Sequence, residues 1–379
     1  MQNPVLLLTC SIGVIGANSL LLSPIATSVA DSFAGAAAAD VLIGVSAYGL
    51  GTASSALALA PLSDRLGADR VVAAALMLLS LSLGLTAVAP ALVVLWVAQA
   101  MAGVAAGAAL PGIYTLAATV SPPGRELQTM GRVLTGWTLS LVAGVTLSAI
   151  LTDLLGWRAV FGMLATLSLC LTVTAHRTEF GNIQRGRATS PLTALHVTGL
   201  GRALLSAFLT MLAFYGTYTF VGVHLNDAFG QTASAAGLVA LAYGAGFGCA
   251  AWVDPLLERI GQKPASLRVF AALAAVYTAL SWVSGVYAVI VGVAFIWGIF
   301  NHLGLNLIVT RLSALDPEQR GAIMGLYSCV TYVAVTLAAI GFAPVYSAGG
   351  WAACTAASAF LVILMVVEVA LPKARRLQA

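Results

Sequence analysis

The sequence predicts an all-α membrane protein made of two six-helix halves, and three observations predict it. Of the 379 residues, 60% are hydrophobic and only 8% are charged, whereas soluble domains carry roughly a quarter charged residues. Such a chain is solvated by lipid. Its apolar residues gather into twelve stretches, each long enough to cross a hydrocarbon layer about 30 Å thick at about 1.5 Å of helix rise per residue. The chain also repeats itself. Ala60-Pro-Leu-Ser-Asp64-Arg65-Leu-Gly67 returns 194 residues later as Asp254-Pro-Leu-Leu-Glu258-Arg259-Ile-Gly261. The same offset pairs Pro123 with Pro317, Met130-Gly131 with Met324-Gly325, and Gly156-Trp157 with Gly350-Trp351. A repeat of this length sets the architecture.

The twelve stretches run over residues 5–29, 41–61, 71–90, 92–118, 131–154, 158–175, 203–225, 233–253, 268–284, 287–310, 322–346 and 351–371. They divide the chain into an N-terminal half, 1–175, a cytoplasmic linker, 176–202, and a C-terminal half, 203–379. The alternating polar pattern of a membrane barrel is absent, so helices must satisfy the backbone. With both termini cytoplasmic, sixteen of the seventeen Lys and Arg residues fall on the inner side and only Arg158 falls outside. That asymmetry is what membrane orientation requires. The net charge of +4 thus needs no nucleic-acid partner. Cys10, Cys170, Cys249, Cys329 and Cys354 lie in apolar spans without paired spacing and read as small core residues.

Taken in order, the first span carries Asn18 near its middle, a polar group suited to helix-to-helix bonding or to ligand contact. The second runs through Gly49 and Gly51 into the repeated turn, where Asp64, Arg65, Gly67, Asp69 and Arg70 crowd into seven residues. The fourth holds Gln99, Gly103 and Gly107, the glycines spaced for close helix packing. The fifth contains Gly144-Val-Thr-Leu-Ser148. The seventh places Tyr215 and Tyr218 on one face within an aromatic run. The tenth is the richest, with Trp297, Asn301, His302 and Asn306. His302 is the only histidine near the middle of a span, at the midplane, and an ionisable group there is a functional candidate by default. The eleventh offers Tyr327, and Glu368 closes the twelfth, expected at the interface beside Lys373, Arg375 and Arg376.

The repeated turn resembles the signature of the major facilitator superfamily, G-x-L-a-D-r-x-G-r-k, with Leu62, Asp64, Arg65 and Gly67 in place and Ala60, Ala68 and Asp69 departing from it. Gly103 and Gly107 match the R-x-x-x-G-x-x-x-G pattern of that family's fourth helix, with Gln99 in place of the Arg. Gly144, Val145 and Leu147 are similar to the G-V-P-L-G variant of the antiporter motif, which points to the drug and metabolite proton-antiporter branch that includes sugar and purine exporters. The resemblance implies a rocker-switch carrier with a substrate site between the halves near midplane, lined by helices 1, 4, 7 and 10. It implies a conformational latch at Asp64, Arg65 and Gly67, echoed by Glu258 and Arg259.

Asn18, Gln99, Tyr215, Tyr218, Trp297, Asn301, His302 and Tyr327 are therefore the expected substrate contacts, and His302 the expected proton carrier. The set lacks buried acids or Arg, so a small neutral or weakly charged solute, aromatic or amphipathic, is expected. Proton-coupled efflux is the leading expectation, and uptake of a vitamin, nucleoside or sugar remains open beside it. The sequence holds no catalytic constellation, no metal-ligand cluster and no phosphate-cradling loop, so neither an enzyme nor a cofactor is expected. The expected setting is a monomer in a bacterial cytoplasmic membrane, with protons, lipid and a small molecule as its partners.

Overall fold

A computed structural model describes residues 3–59, 66–122, 125–180, 191–253, 259–316 and 319–370. Among them there are helices and turns but no strands. The helices are α1 (Pro4–Ala30), α2 (Ala38–Ala58), α3 (Ala68–Ala87), α4 (Leu92–Thr119) and α5. The last is Glu126–Leu139 continued through a wider π-turn, Ser140–Val145, into Thr146–Leu155. Then come α6 (Trp157–Arg177), a short 3-10 turn at Pro191–His196, and α7, which is Leu200–Tyr218 followed by Val221–Phe229. The chain continues with α8 (Ala233–Cys249), α9 (Gln262–Trp282), α10 (Tyr287–Ser313) and α11 (Arg320–Ala370). Ten of these helical runs are long and apolar enough to cross a membrane, and α8 is a shorter apolar helix. The 51-residue α11 is interrupted at Gly349 and Gly350 by non-helical backbone.

Local chemistry sets the starts and breaks. Asn3 caps α1, its side chain accepting the N–H of Val5 at 3.1 Å and of Leu6 at 3.4 Å, while Pro4 fills the first position, where no N–H is missed. Gly67 before α3 and Gly261 before α9 take φ +96° and +81°. Gly156 before α6 and Gly350 within α11 take φ +83° and +65°. Both pairs sit at the repeat offset of 194, and each lies in a region open to glycine and closed to other residues. The tryptophans that follow the second pair, Trp157 and Trp351, are buried and donate to Ser32 Oγ and to the Thr217 carbonyl, each at 2.9 Å. The repeat read in the sequence is thus a repeat of backbone conformation.

Packing follows the halves. In the first, α2 and α3 pack on α4 while α3 also packs on α6; in the second, α8 packs on α10 and α11 lies against α7 and α9. The halves meet where α2 crosses α11 and where the π-turn region of α5 crosses α8. Hydrogen bonds joining them among the described residues lie toward the end of the bundle away from Arg70, Arg132, Arg202 and Arg311. Ser46 Oγ donates to the Thr336 carbonyl at 3.0 Å, Thr336 Oγ1 to the Ser46 carbonyl at 3.3 Å, and Thr146 Oγ1 to the Gly237 carbonyl at 3.1 Å. Ser234 joins Asp153 at the same end.

Glu368 departs from its expected interfacial place. Its side chain is 11% exposed and forms ion pairs with Arg202 at 2.8 Å and Arg311 at 3.2 Å, with Ser206 donating to it at 3.1 Å. The approach of α7 and α10 supplies cations from within the C-terminal half, and the carboxylate pairs with them. Lys373, Arg375 and Arg376 lie outside the described residues.

Candidate functional site

The middle of the C-terminal half is a packed group of rings drawn from four helices. Phe214 of α7 stacks on Tyr218 at 5.4 Å and on Tyr243 of α8 at 5.3 Å, with Trp297 of α10 tilted against it at 5.5 Å. Tyr277 of α9 meets Trp297 edge-on at 5.7 Å. Tyr215, the next residue, contacts Phe214 at 4.9 Å and lies within electrostatic reach of the hydroxyls of Tyr48, Tyr218, Tyr243, Tyr327 and Tyr332. Tyr48 of α2 and Tyr332 of α11 touch edge-on at 6.2 Å, which carries the cluster across the boundary between the halves. Offset and edge-on rings of this kind are favoured by their quadrupoles.

Polar atoms within this cluster are left over. Asn301 Nδ2 donates to the Tyr243 hydroxyl at 2.5 Å, but Asn301 Oδ1 has no hydrogen-bond partner. Among the described residues the hydroxyls of Ser19, Tyr48, Tyr218 and Tyr277 and the indole N–H of Trp297 likewise make no bond of normal geometry, although Tyr277 faces the Trp297 N–H and Tyr48 lies beside Thr52. Ser19 stands beside both Tyr48 and Tyr215, off bonding geometry. Most buried polar groups in proteins are paired, because an unpaired one costs about 1–3 kcal/mol. Unpaired donors and acceptors gathered around aromatic walls are what a binding site for a polar-edged organic molecule has to offer.

The other expected contacts divide. Asn18 and Gln99 are brought together, but they bond one another. Asn18 Nδ2 donates to Gln99 Oε1 at 3.3 Å, Gln99 Nε2 donates back at 3.5 Å and also reaches Thr86 Oγ1 at 3.3 Å. Both amides are buried, at 2% and 0% exposure, so the pair ties α1, α4 and α3 together. Tyr327 is partly buried on α11, near Tyr215 and Tyr114. His302 is half-buried and meets Phe247 of α8 edge-on at 4.6 Å. One and two helical turns nearer the Arg311 end of α10, Asn306 and Thr310 are exposed.

Of the expected latch, Gly67 and Arg259 are described, whereas Asp64, Arg65 and Glu258 lie outside the described residues. Sequence reasoning missed Ser19, Tyr48 and Tyr332 as members of the cluster. They sit on helices 1, 2 and 11, and no spacing in the sequence says that these faces meet. The close packing expected of Gly103 and Gly107 is found where α2 meets α4, whereas the matching contacts of Gly246 and Gly298 between α8 and α10 were not singled out. A Cβ at Gly103 would collide with the Tyr48 carbonyl oxygen, and one at Gly298 with that of Tyr243. No group of His, Cys, Asp or Glu suited to a metal ion occurs among the described residues.

Comparison with known proteins places this arrangement. Residues 7–181 match the model of the Major Facilitator Superfamily. The uncharacterized MFS-type transporter YwfA of Bacillus subtilis (strain 168) is 28% identical over 357 residues, covering 92% of this chain and 86% of its own. The probable sugar efflux transporter of Mannheimia succiniciproducens is 26% identical over 246 residues, 62% of this chain and 60% of its own. Among solved structures, a bacterial homologue of the human lysosomal transporter Spinster, in an inward-facing and occupied conformation, superposes with TM-score 0.73 at 14% identity over 97% of both chains. The human organic anion transporter MFSD10 (TETRAN) gives 0.74 at 15% identity, over 97% of this chain and 100% of its own. This all-helical integral membrane chain is thus similar to the Major Facilitator Superfamily in sequence over residues 7–181, to an MFS-type relative over most of its length, and to solved transporters in overall fold.

Proposed function

We propose that the chain exports a small neutral or weakly charged organic solute, aromatic or amphipathic, by proton-coupled alternating access. The observation that carries this reading is the cluster of unpaired polar atoms among stacked rings at the boundary of the halves. Tyr215, Tyr218, Trp297, Asn301 and Tyr327 form its working set, joined by Ser19 and Tyr48 from the first half. The cluster contains no carboxylate and no guanidinium, so it offers a strongly charged solute no counter-ion. Asn18 and Gln99 form the wall behind it, and contact with a solute requires opening their mutual bonds.

Twelve spans serve this cycle when α11 is counted as two helices. Gly350 takes the backbone conformation that Gly156 takes between α5 and α6, which supports that count. Helix ends rich in Arg then face the cytoplasm, with both termini, in a bacterial inner membrane. The halves are bonded at the outer end, and exposed polar side chains at the inner part of the helices, such as Thr115, Thr135, Asn306 and Thr310, are consistent with a wetted inner vestibule. His302, at the head of the α10 stripe, is the proton carrier of the proposal. Asp64, Arg65, Gly67, Glu258 and Arg259 form the inner latch, with the matching glycine turns before α3 and α9 as support. The efflux name carried by the Mannheimia relative favours export as the direction.

The test joins ligand discovery to flux. A thermal-shift screen of the purified protein against metabolites and drugs identifies solutes, because a ligand that binds only the folded state raises its stability by mass action. The solutes found are then moved through proteoliposomes under an imposed pH gradient. His302→Gln is expected to abolish gradient-driven flux while leaving solute exchange intact; unchanged gradient-driven flux removes His302 from coupling.

A further inference from the structure

The outer end of the interface is held by an ionisable side chain. Asp153 lies in the last turn of α5, and its Oδ2 accepts the backbone N–H of Ser234 at 2.8 Å together with the Ser234 hydroxyl. Ser234 is the second residue of α8, and Thr232, the residue in the cap position, makes no side-chain cap bond of its own. The first turn of a helix has N–H groups without internal partners and carries the positive end of the helix dipole. A carboxylate from one half thus caps the first turn of a helix in the other. The two ends of this contact belong to different halves, so it must break whenever the outer end opens.

The surroundings leave that carboxylate as the sole charge in the contact. From α8 and the turn before it, the groups acting on Asp153 are Ser234, Thr232 and the N–H of Ala233, all neutral. Neither α1 nor α8 contains a charged residue. Arg158, at the start of α6, is engaged elsewhere: its Nη2 donates to the Ala89 carbonyl at 2.8 Å and its guanidinium lies 4.2 Å over the Trp157 ring. Charge-assisted bonds to N–H groups are stronger than neutral ones, so the ionised form grips α8 best.

We propose that Asp153 is a positioning residue of the transport cycle. Its ionised carboxylate, seated on α8, holds the outer end shut, and protonation or removal of the carboxylate releases it. The inference rests on the alternating-access reading and on nothing about the solute. It separates charge from geometry in a way that substitution can follow. Asp153→Asn is the neutral isostere of the protonated carboxyl, so it keeps an uncharged and weaker acceptor and takes up no proton, whereas Asp153→Ala loses the acceptor as well.

The experiment measures distances between spin labels in lipid nanodiscs, without solute, in a background whose five cysteines are replaced. Labels at the exposed positions Ala34 and Val286 report the outer end, and labels at the open glycines Gly131 and Gly321 report the inner end. The wild-type outer distance is expected to be short at neutral pH and to lengthen on acidification, as the carboxylate takes up its proton. Asp153→Asn is expected to hold the distance of the protonated wild type at every pH, and so to lose the pH response. Asp153→Ala is expected to populate the long distance at neutral pH, its closed-to-open ratio falling about fivefold, the worth of a helix cap.

Wild-type distances in Asp153→Ala, or a wild-type pH response in Asp153→Asn, overturn the proposal. If the inner pair still moves while Asp153→Ala stays closed outside, the gate alone fails. If neither pair moves in any variant at any pH, alternating access fails with it.

Discussion

In the first half, α2 and α4 approach until Gly51 lies against the Ala100 carbonyl and Gly103 against the Tyr48 carbonyl. In the second half, α8 and α10 repeat both contacts, Gly246 against Phe295 and Gly298 against Tyr243. These contacts recur at an offset of 195, one more than the offset of the turns. The crossing is the same, but its filling is not. At that offset Trp297 and Asn301 of α10 correspond to Ala102 and Ala106 of α4, and Gln99 of α4 corresponds to Ala294 of α10. The first half closes its amides on themselves, in the Asn18, Gln99 and Thr86 set, and leaves the hydroxyls of Ser19 and Tyr48 over. The second half stacks rings around polar atoms with no partner. One framework thus serves as a self-satisfied wall on one side and as a set of open contacts on the other, which is how a repeated fold becomes an asymmetric site.

The largest expected effect tests the shared framework. Gly298→Val and Gly103→Val each drive a branched side chain into a backbone carbonyl that no rotamer can clear. The cost is expected to be at least the about 1–3 kcal/mol of ordinary overpacking, seen as a large fall in thermal midpoint or loss of folded protein. Gly292→Val, on an open face of the same α10, is expected to stay within about 0.5 kcal/mol of wild type. A Gly298 variant as stable as the Gly292 one would break the equivalence of the two crossings.

The next effect tests the wall. Gln99→Leu removes the partner of buried Asn18, while Thr86 keeps its bond to the Ser82 carbonyl, so it is expected to cost about 1–3 kcal/mol. Adding Asn18→Leu is expected to cost less than the two single changes together, since each alone strands the other. Binding of a solute from the thermal screen is expected to survive in the double variant. Loss of binding with little loss of stability would move these amides from wall to site.

Much of this was legible from residue order, and the rest was not, for physical reasons. The apolar helices and the repeat follow from composition and offset, which are properties of the chain alone. Gly67 and Gly156 could be read too, since each has a copy 194 residues on. Helical phase could not. Asn18 and Gln99 are 81 residues apart, and only the docking of α1 on α4 decides that they face each other and not a cavity. Glu368 looked interfacial because the nearest cations in sequence follow it, whereas its partners come from α7 and α10. Ser19, Tyr48 and Tyr332 carried no signal at all, because a lone hydroxyl in an apolar run gains meaning only from the helix opposite.

The smallest expected effect on stability is also the most discriminating. Tyr218 is 1% exposed and its hydroxyl has no partner among the described residues. Its ring stacks on Phe214, a contact that phenylalanine keeps. Tyr218→Phe therefore removes an unpaid desolvation and breaks no bond, so the thermal midpoint without solute is expected to hold or rise slightly. Where that hydroxyl meets the solute, the same change weakens binding. A tenfold loss of affinity removes about 1.4 kcal/mol of the stabilisation that saturating solute confers. The signature is an unchanged midpoint in the free protein with a reduced shift on adding solute. The reverse, a lowered midpoint with the solute shift intact, would mean that the Tyr218 hydroxyl is bonded within the protein and that the open contacts of the second half lie elsewhere.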